Sequence, residues 1–146
     1  MKYGKIAGLD KEVSKLVFGT ATPKLFAAVA EQAEAKEKKE AFALLDDIYA
    51  EGINTFDCAA HYGEEITGEW MAERGIREKC VIITKCAHPN KWRQRVNDFD
   101  ILSDAHDSLK KLKTDCIDIY MLHRDNRETP VNVIVDALNR LYQEAK

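Results

Sequence analysis

No apolar run in this chain approaches the roughly 20 residues that cross a bilayer, so nothing in it reads as a membrane span. The opening Met1-Lys2-Tyr3-Gly4-Lys5 lacks the apolar stretch of a secretory signal. Positive charge is not in excess either. With 22 Lys and Arg against 25 Asp and Glu, the formal net charge of -3 leaves no basic field for nucleic acid or an anionic lipid surface. The four cysteines, Cys58, Cys80, Cys86 and Cys116, show neither CxxC nor zinc-ligand spacing. They are expected to be reduced, mostly buried thiols of a cytoplasmic protein rather than disulfides or metal ligands. What remains is an ordinary globular make-up, 45% hydrophobic over 146 residues, sufficient for one domain-sized unit.

The pattern that is present alternates strand and helix signals. Residues 1–13 read as a small hairpin with turn positions at Gly4, Gly8 and Asp10. Residues 15–18 read as a first strand closed by Gly19-Thr20, after which Pro23 interrupts the chain. The mixed-charge run 31–40 is a solvated entry to a helix whose Ala41, Leu44, Leu45 and Ile48 share one face, with Gly52 as its stop. A second strand, Asn54-Thr55-Phe56, runs into Asp57 and is followed by a helix over 65–74, stopped by Gly75. A third, Val81-Ile82-Ile83-Thr84, runs into Lys85. A loop with Pro89 and Trp92 then leads to a helix near 99–113 with Ile101, Leu102, Ala105, Leu109 and Leu112 on one side. A fourth, residues 117–122, runs into His123. Thr129-Pro130 then opens a last helix as N-cap and first-turn proline, with Val131, Ile134, Val135, Leu138, Leu141 and Tyr142 as its buried stripe.

Four strand-helix units imply an α/β fold with a parallel sheet. The expectation is the first half of a (β/α)8 TIM barrel. It is a single partial-barrel domain over 1–146, with 1–13 as an N-terminal hairpin and 14–146 as the four units, ending before a fifth strand. Side chains alternate along a strand. If Lys85 points into the barrel, so do Ile83 and Val81, while Ile82 and Thr84 face the helices; Met121, Ile119 and Ile117 follow His123 inward. Four strands cannot close a barrel. About eight inward side chains leaving ~50 Å² each uncovered would forfeit on the order of 10 kcal/mol at ~25 cal/mol per Å². The chain is therefore expected either to continue past Lys146 or to self-associate through its open face or its strand edges.

Three strand runs ending on titratable residues point to an active site, because a parallel α/β barrel builds its chemistry at the carboxyl ends of its strands. Tyr62 follows Asp57 by five residues. A phenol, with a reference pKa near 10, is a poor acid at neutral pH unless a neighbouring ammonium favours the phenolate. Lys85 can be that ammonium, Asp57 its counter-charge, and His123 a hydrogen-bond donor that orients a substrate oxygen. Such a set would protonate a carbonyl oxygen while a nicotinamide cofactor delivers hydride to the carbon, since no side chain can.

The stretch Gly52-Ile53-Asn54-Thr55-Phe56-Asp57-Cys58-Ala59-Ala60-His61-Tyr62-Gly63 closely resembles the signature of the aldo/keto reductase family. Ile83-Thr84-Lys85 and Asp118-Ile119-Tyr120-Met121-Leu122-His123-Arg124 resemble its next two active-site segments. The resemblance implies a (β/α)8 barrel that reduces a small aldehyde or ketone with NADPH or NADH. In that reading Tyr62 is the general acid, Lys85 and Asp57 tune it, and His123 orients the carbonyl. Gly19, Thr20 and Asp57 then lie near the cofactor, and the hairpin plugs the barrel floor. The family's other half carries most cofactor contacts, so this chain alone is expected to bind cofactor poorly and to be inactive. His61 is given no role, and Cys86 is read as packing rather than as a redox-sensitive thiol. Three rivals stand beside this reading: a metal-dependent hydrolase using Asp57, His61 and His123, a nucleotide-binding regulatory member of the family, and a self-associating half-barrel without catalysis.

Overall fold

A computed structural model describes residues 1–144. The chain begins with two short antiparallel strands, β1 (Tyr3–Gly4) and β2 (Val13–Ser14). A parallel sheet of four strands follows in sequential order: β3 (Phe18–Gly19), β4 (Thr55–Asp57), β5 (Val81–Cys86) and β6 (Ile119–Leu122). Helices α1 (Pro23–Ala28), α2 (Ala35–Ala50), α3 (Glu64–Arg74), α4 (Asp98–Leu112) and α5 (Val131–Gln143) connect and cover the strands. This is half of a (β/α)8 barrel. The last two residues of the expected 14–146 unit lie outside the described residues.

The sheet's two faces differ because side chains alternate along each strand. On the outer face Phe56, Ile82 and Cys86 are fully buried against the helices. Phe56 meets Trp70 of α3 edge-on at 5.2 Å between ring centroids. Burying a phenylalanine of this kind stabilises the fold by about 1.5–3 kcal/mol. Trp70 keeps its indole N–H satisfied by donating to Asp46 of α2 at 2.8 Å, a polar contact between α2 and α3 beside the apolar cluster.

The bottom of the half-barrel is sealed by the hairpin. Ser14 donates its backbone N–H to Asn54 Oδ1 at 2.9 Å and its hydroxyl to Thr55 Oγ1 at 3.1 Å. Buried Asp118 accepts from Ile82 N at 2.8 Å and pairs with Lys11 at 2.8 Å and Arg77 at 2.9 Å. Val81, although it faces inward, is therefore fully buried, whereas Met121 near the top of the same face is 40% exposed.

Four expectations change in detail. The first strand forms only at Phe18–Gly19 rather than over 15–18. Pro23 does not break the chain but occupies the first turn of α1, with the Thr22 hydroxyl capping Leu25 N. Thr129 does not cap α5: Pro130 takes that position and the Thr129 hydroxyl donates to Val96 O at 2.8 Å. The stripe of α5 is also narrower than its sequence period suggests. Ala137 and Leu141 are buried, but Val131 (72%), Val135 (44%) and Tyr142 (80%) are exposed, because α5 packs on α4 along one side only. Of the cysteines, all free, Cys58, Cys80 and Cys86 are buried and Cys116 is exposed. Among the described residues, no helix is long and apolar enough to cross a membrane.

Candidate active site

Strand register decides which side chains can meet. Gly19, Asp57, Ile83 and Ile119 pair in one row across the sheet, and Lys85 pairs with Met121 one inward layer higher. Lys85 can therefore lay its ammonium down onto the Asp57 carboxylate, and it does so in a close ion pair. Tyr62 reaches the same point by a tight turn. Cys58 N extends the ladder to Ile83 O at 2.8 Å, then Ala59 and Tyr62 exchange two backbone hydrogen bonds of 3.0 and 2.9 Å around Ala60-His61. Gly63 makes the next step possible with φ +77, where a Cβ would sit 1.8 Å from Thr20 Oγ1.

The result is a lysine with all three ammonium hydrogens committed: to Asp57 Oδ1, to Cys58 O at 2.8 Å and to Tyr62 Oη at 3.1 Å. Burial works against the Lys85 charge, but the hydrogen bonds and charges of Asp57 and Tyr62 prevail and raise its pKa above the ordinary lysine value. Lys85 is thus a fixed positive charge throughout the neutral range.

His123 follows β6 and is anchored by its backbone N–H, which donates to Cys86 O at 2.8 Å. Its ring stands 6.3 Å from the Tyr62 ring, beside the other three residues but not bonded to them. It packs nearly perpendicular to His88 at 4.5 Å, and His88 packs likewise against His61 at 4.6 Å. Burial, then the charges of His88, Lys85 and Arg124, hold the His123 imidazole below its ordinary value, so it is neutral at physiological pH. Among the described residues, His123 Nδ1 is buried without a hydrogen-bond partner.

Gly19 is exposed beside Asp57, while Thr20 is fully buried and donates both its N–H and its hydroxyl to Asp57 O, at 3.0 and 2.9 Å. The structure thus joins Asp57, Tyr62 and Lys85 directly, sets His123 next to them, and uses Thr20 to support the strand end from beneath. Cys86 points the other way, buried among the outer helices, where desolvation pushes its thiol up to about 11. A thiol held protonated in that way packs rather than reacts. Among the described residues, no three His, Cys, Asp or Glu side chains converge to hold a metal ion.

Two residues of this neighbourhood escape a reading of the sequence. Glu64 is buried directly after Gly63, and its only sequence sign is a carboxylate adjoining the Tyr62 turn. His88 is swung toward His123 by Ala87, a buried alanine at φ +57 whose N–H donates to Asp104 Oδ2 at 2.8 Å. Nothing in the sequence marks Ala87 as a left-handed turn.

Three comparisons bear on this arrangement. The model of the Aldo/keto reductase family matches residues 15–146. Protein tas of Escherichia coli strain K12 is 33% identical over 88% of this chain and 40% of its own length. The aldo-keto reductase YhdN of Bacillus subtilis is 28% identical over the whole chain and 45% of its own length. The holo form of aldo-keto reductase AKR11C1 from Bacillus halodurans superposes with a TM-score of 0.78 at 25% identity, over 99% of this chain and 47% of that one. The chain spans less than half the length of these relatives. A family match over nearly every residue, on a half-barrel that superposes on a solved member, leads to one conclusion: this chain belongs to the aldo/keto reductase family.

Proposed function

We propose that this chain supplies the proton-donating half of an NAD(P)H-dependent reductase that converts an aldehyde or ketone to an alcohol, with Tyr62 as general acid. The observation that carries the reading is the Lys85 ammonium, pinned by Asp57 and Cys58 O, at 3.1 Å from the Tyr62 hydroxyl. A carbonyl oxygen arriving between Tyr62 and His123 accepts hydrogen bonds from both. As negative charge develops on that oxygen, Tyr62 gives up its proton, and the Lys85 charge stabilises the phenolate left behind. Neutral His123 donates without competing for the proton, and so orients the carbonyl.

The residues fit a nicotinamide on one side only. The catalytic groups open onto an uncovered inner face beside Ile83 and half-exposed Met121. A bound nicotinamide supplies the hydride that no side chain can. One relative, from Phanerodontia chrysosporium, is named an aryl-alcohol dehydrogenase [NADP(+)], which supports the 2′-phosphorylated cofactor, NADPH. Four free cysteines fit a reducing cytoplasmic setting.

The test is a titration of NADPH into this chain, read by the fluorescence of Trp92, which is 78% exposed, with buried Trp70 as the insensitive background. The chain alone is expected to show no saturable binding at micromolar cofactor. A full-length protein that joins this chain to the second half of the barrel is expected to bind, to reduce aldehydes, and to lose reduction on Lys85→Met. Retention of full activity in that variant would refute the role given to Lys85. The open face supports a second reading for the isolated chain, in which two copies cover Ile83, Ile119 and Met121. Sedimentation should then show a dimer that Met121→Glu converts to monomer.

A further inference from the structure

The Tyr62 turn is not held by packing alone. A cavity of about 80 Å³ adjoins it, lined by Val29, Ala60, Tyr62 and Lys111 among others. Beside it lies a buried carboxylate that the catalytic reading leaves unused. Glu64, 2% exposed, accepts hydrogen bonds on Oε1 from Thr84 Oγ1 and Ser108 Oγ, both at 2.6 Å. Its other oxygen lies 3.7 Å from Lys111 Nζ, and Lys111 donates to Ala60 O at 2.8 Å. Thr84 immediately precedes Lys85 on β5, and Ala60 lies within the turn that delivers Tyr62. Glu64 is thus hydrogen-bonded to the residue before Lys85 and ion-paired, without a hydrogen bond, to the lysine that holds the Tyr62 turn.

The fold builds this point deliberately. Glu64 and Gly68 lie four residues apart on one side of α3. A Cβ on Gly68 would come within 2.4 Å of Lys111 O and 2.5 Å of Leu112 Cα, so α3 crosses α4 in backbone contact there. That crossing brings Ser108 and Lys111 against Glu64. Removing a carboxylate from water costs several kcal/mol and is repaid only by good geometry, so an apolar contact would serve simple packing as well or better. A carboxylate used here calls for a task that packing does not perform.

We propose that Glu64 is a positioning residue: with Lys111 it sets the Tyr62 hydroxyl at hydrogen-bonding distance from Lys85. Its catalytic consequence rests on Tyr62 being the acid, but the distance itself does not. The measurement is the nuclear Overhauser contact between the Tyr62 ring and the Lys85 side chain in this chain, with the Phe56–Trp70 contact as a control for folding. Lys111 is 41% exposed, so changing it opens no core cavity, but it leaves the Glu64 charge without its cation. Lys111→Met is expected to keep Phe56–Trp70 and weaken Tyr62–Lys85 severalfold, and Lys111→Arg to restore it. Glu64→Gln should act in the same direction; if it also loses the folding control, Lys111→Met decides. In the full-length reductase the Lys111→Met variant should lower kcat roughly ten- to hundredfold with KM for the carbonyl unchanged. An unchanged Tyr62–Lys85 contact in folded Lys111→Met overturns the inference. A wild-type reductase without carbonyl turnover would instead sink the functional reading, and the distance measurement would still decide the role of Glu64.

Discussion

The two faces of one four-stranded sheet have been put to opposite uses. The outer face is closed by helices and mostly apolar: Phe56, Ile82 and Cys86 are fully buried, and Thr84, bonded to Glu64, is a polar exception. The inner face carries Asp57, Lys85 and Met121, is sealed only at its floor by the hairpin, and opens toward the strand ends. The difference shows a division of labour at single-residue resolution. Phe56 and Asp57 are neighbours in sequence, yet one holds the layers together and the other holds a charge.

The sharpest way to break this comparison is to alter the inner face and ask whether the fold notices. In a full-length protein, Tyr62→Phe is expected to lower kcat by roughly 10²–10⁴-fold, about 3–5 kcal/mol of barrel-mouth chemistry, while thermal unfolding stays near wild type. A comparable fall in stability would show that the inner face also supports the fold. The converse change is Phe56→Ala, which should cost about 3–5 kcal/mol in denaturant unfolding, against less than about 1 kcal/mol for half-exposed Met121→Ala. Equal costs would erase the distinction between the faces.

A smaller effect probes the helix layer itself. Gly68→Ala must push α3 away from the α4 backbone, which should destabilise the chain by about 1–3 kcal/mol in the same unfolding measurement. The smallest is electrostatic. A hydrogen bond from Arg93, aided by Asn97 and Arg95, holds the Asp100 carboxyl down from 3.8 to about 2. A depressed pKa contributes stability above the unfolded value and loses it as pH falls through the folded one. The denaturant midpoint should therefore drop between about pH 4 and 2, and Asp100→Asn should flatten that part of the curve.

Much of this was legible in the chain because it depends on local spacing. Strand ends are read from apolar runs, and Tyr62 follows Asp57 by five positions, with a tight turn between them. The inward assignment of Val81, Ile83 and Lys85 follows from alternation alone. What could not be read depends on what lies across a gap. Val131, Val135 and Tyr142 repeat at helical spacing whether or not a second helix covers them, so the α5 stripe was drawn too wide. Glu64 looks like any helix-start acid until Thr84, Ser108 and Lys111 are seen around it. Thr129 has the chemistry of a cap, but Val96 O claims its hydroxyl.

The Asp118 cluster on the barrel floor also orders events in time. Its partners Lys11 and Arg77 lie far upstream, so the ion pairs that pin the hairpin cannot form until the last strand has been made. Before Asp118 is made, the hairpin's side-chain ties to the sheet are those of Ser14 and Glu12 to Asn54 and Thr55. Closing that long loop is an entropic cost met late. The Lys11–Asp118 pair thus closes the longest loop of this floor, and the Ser14 contacts to Asn54 and Thr55 close shorter ones.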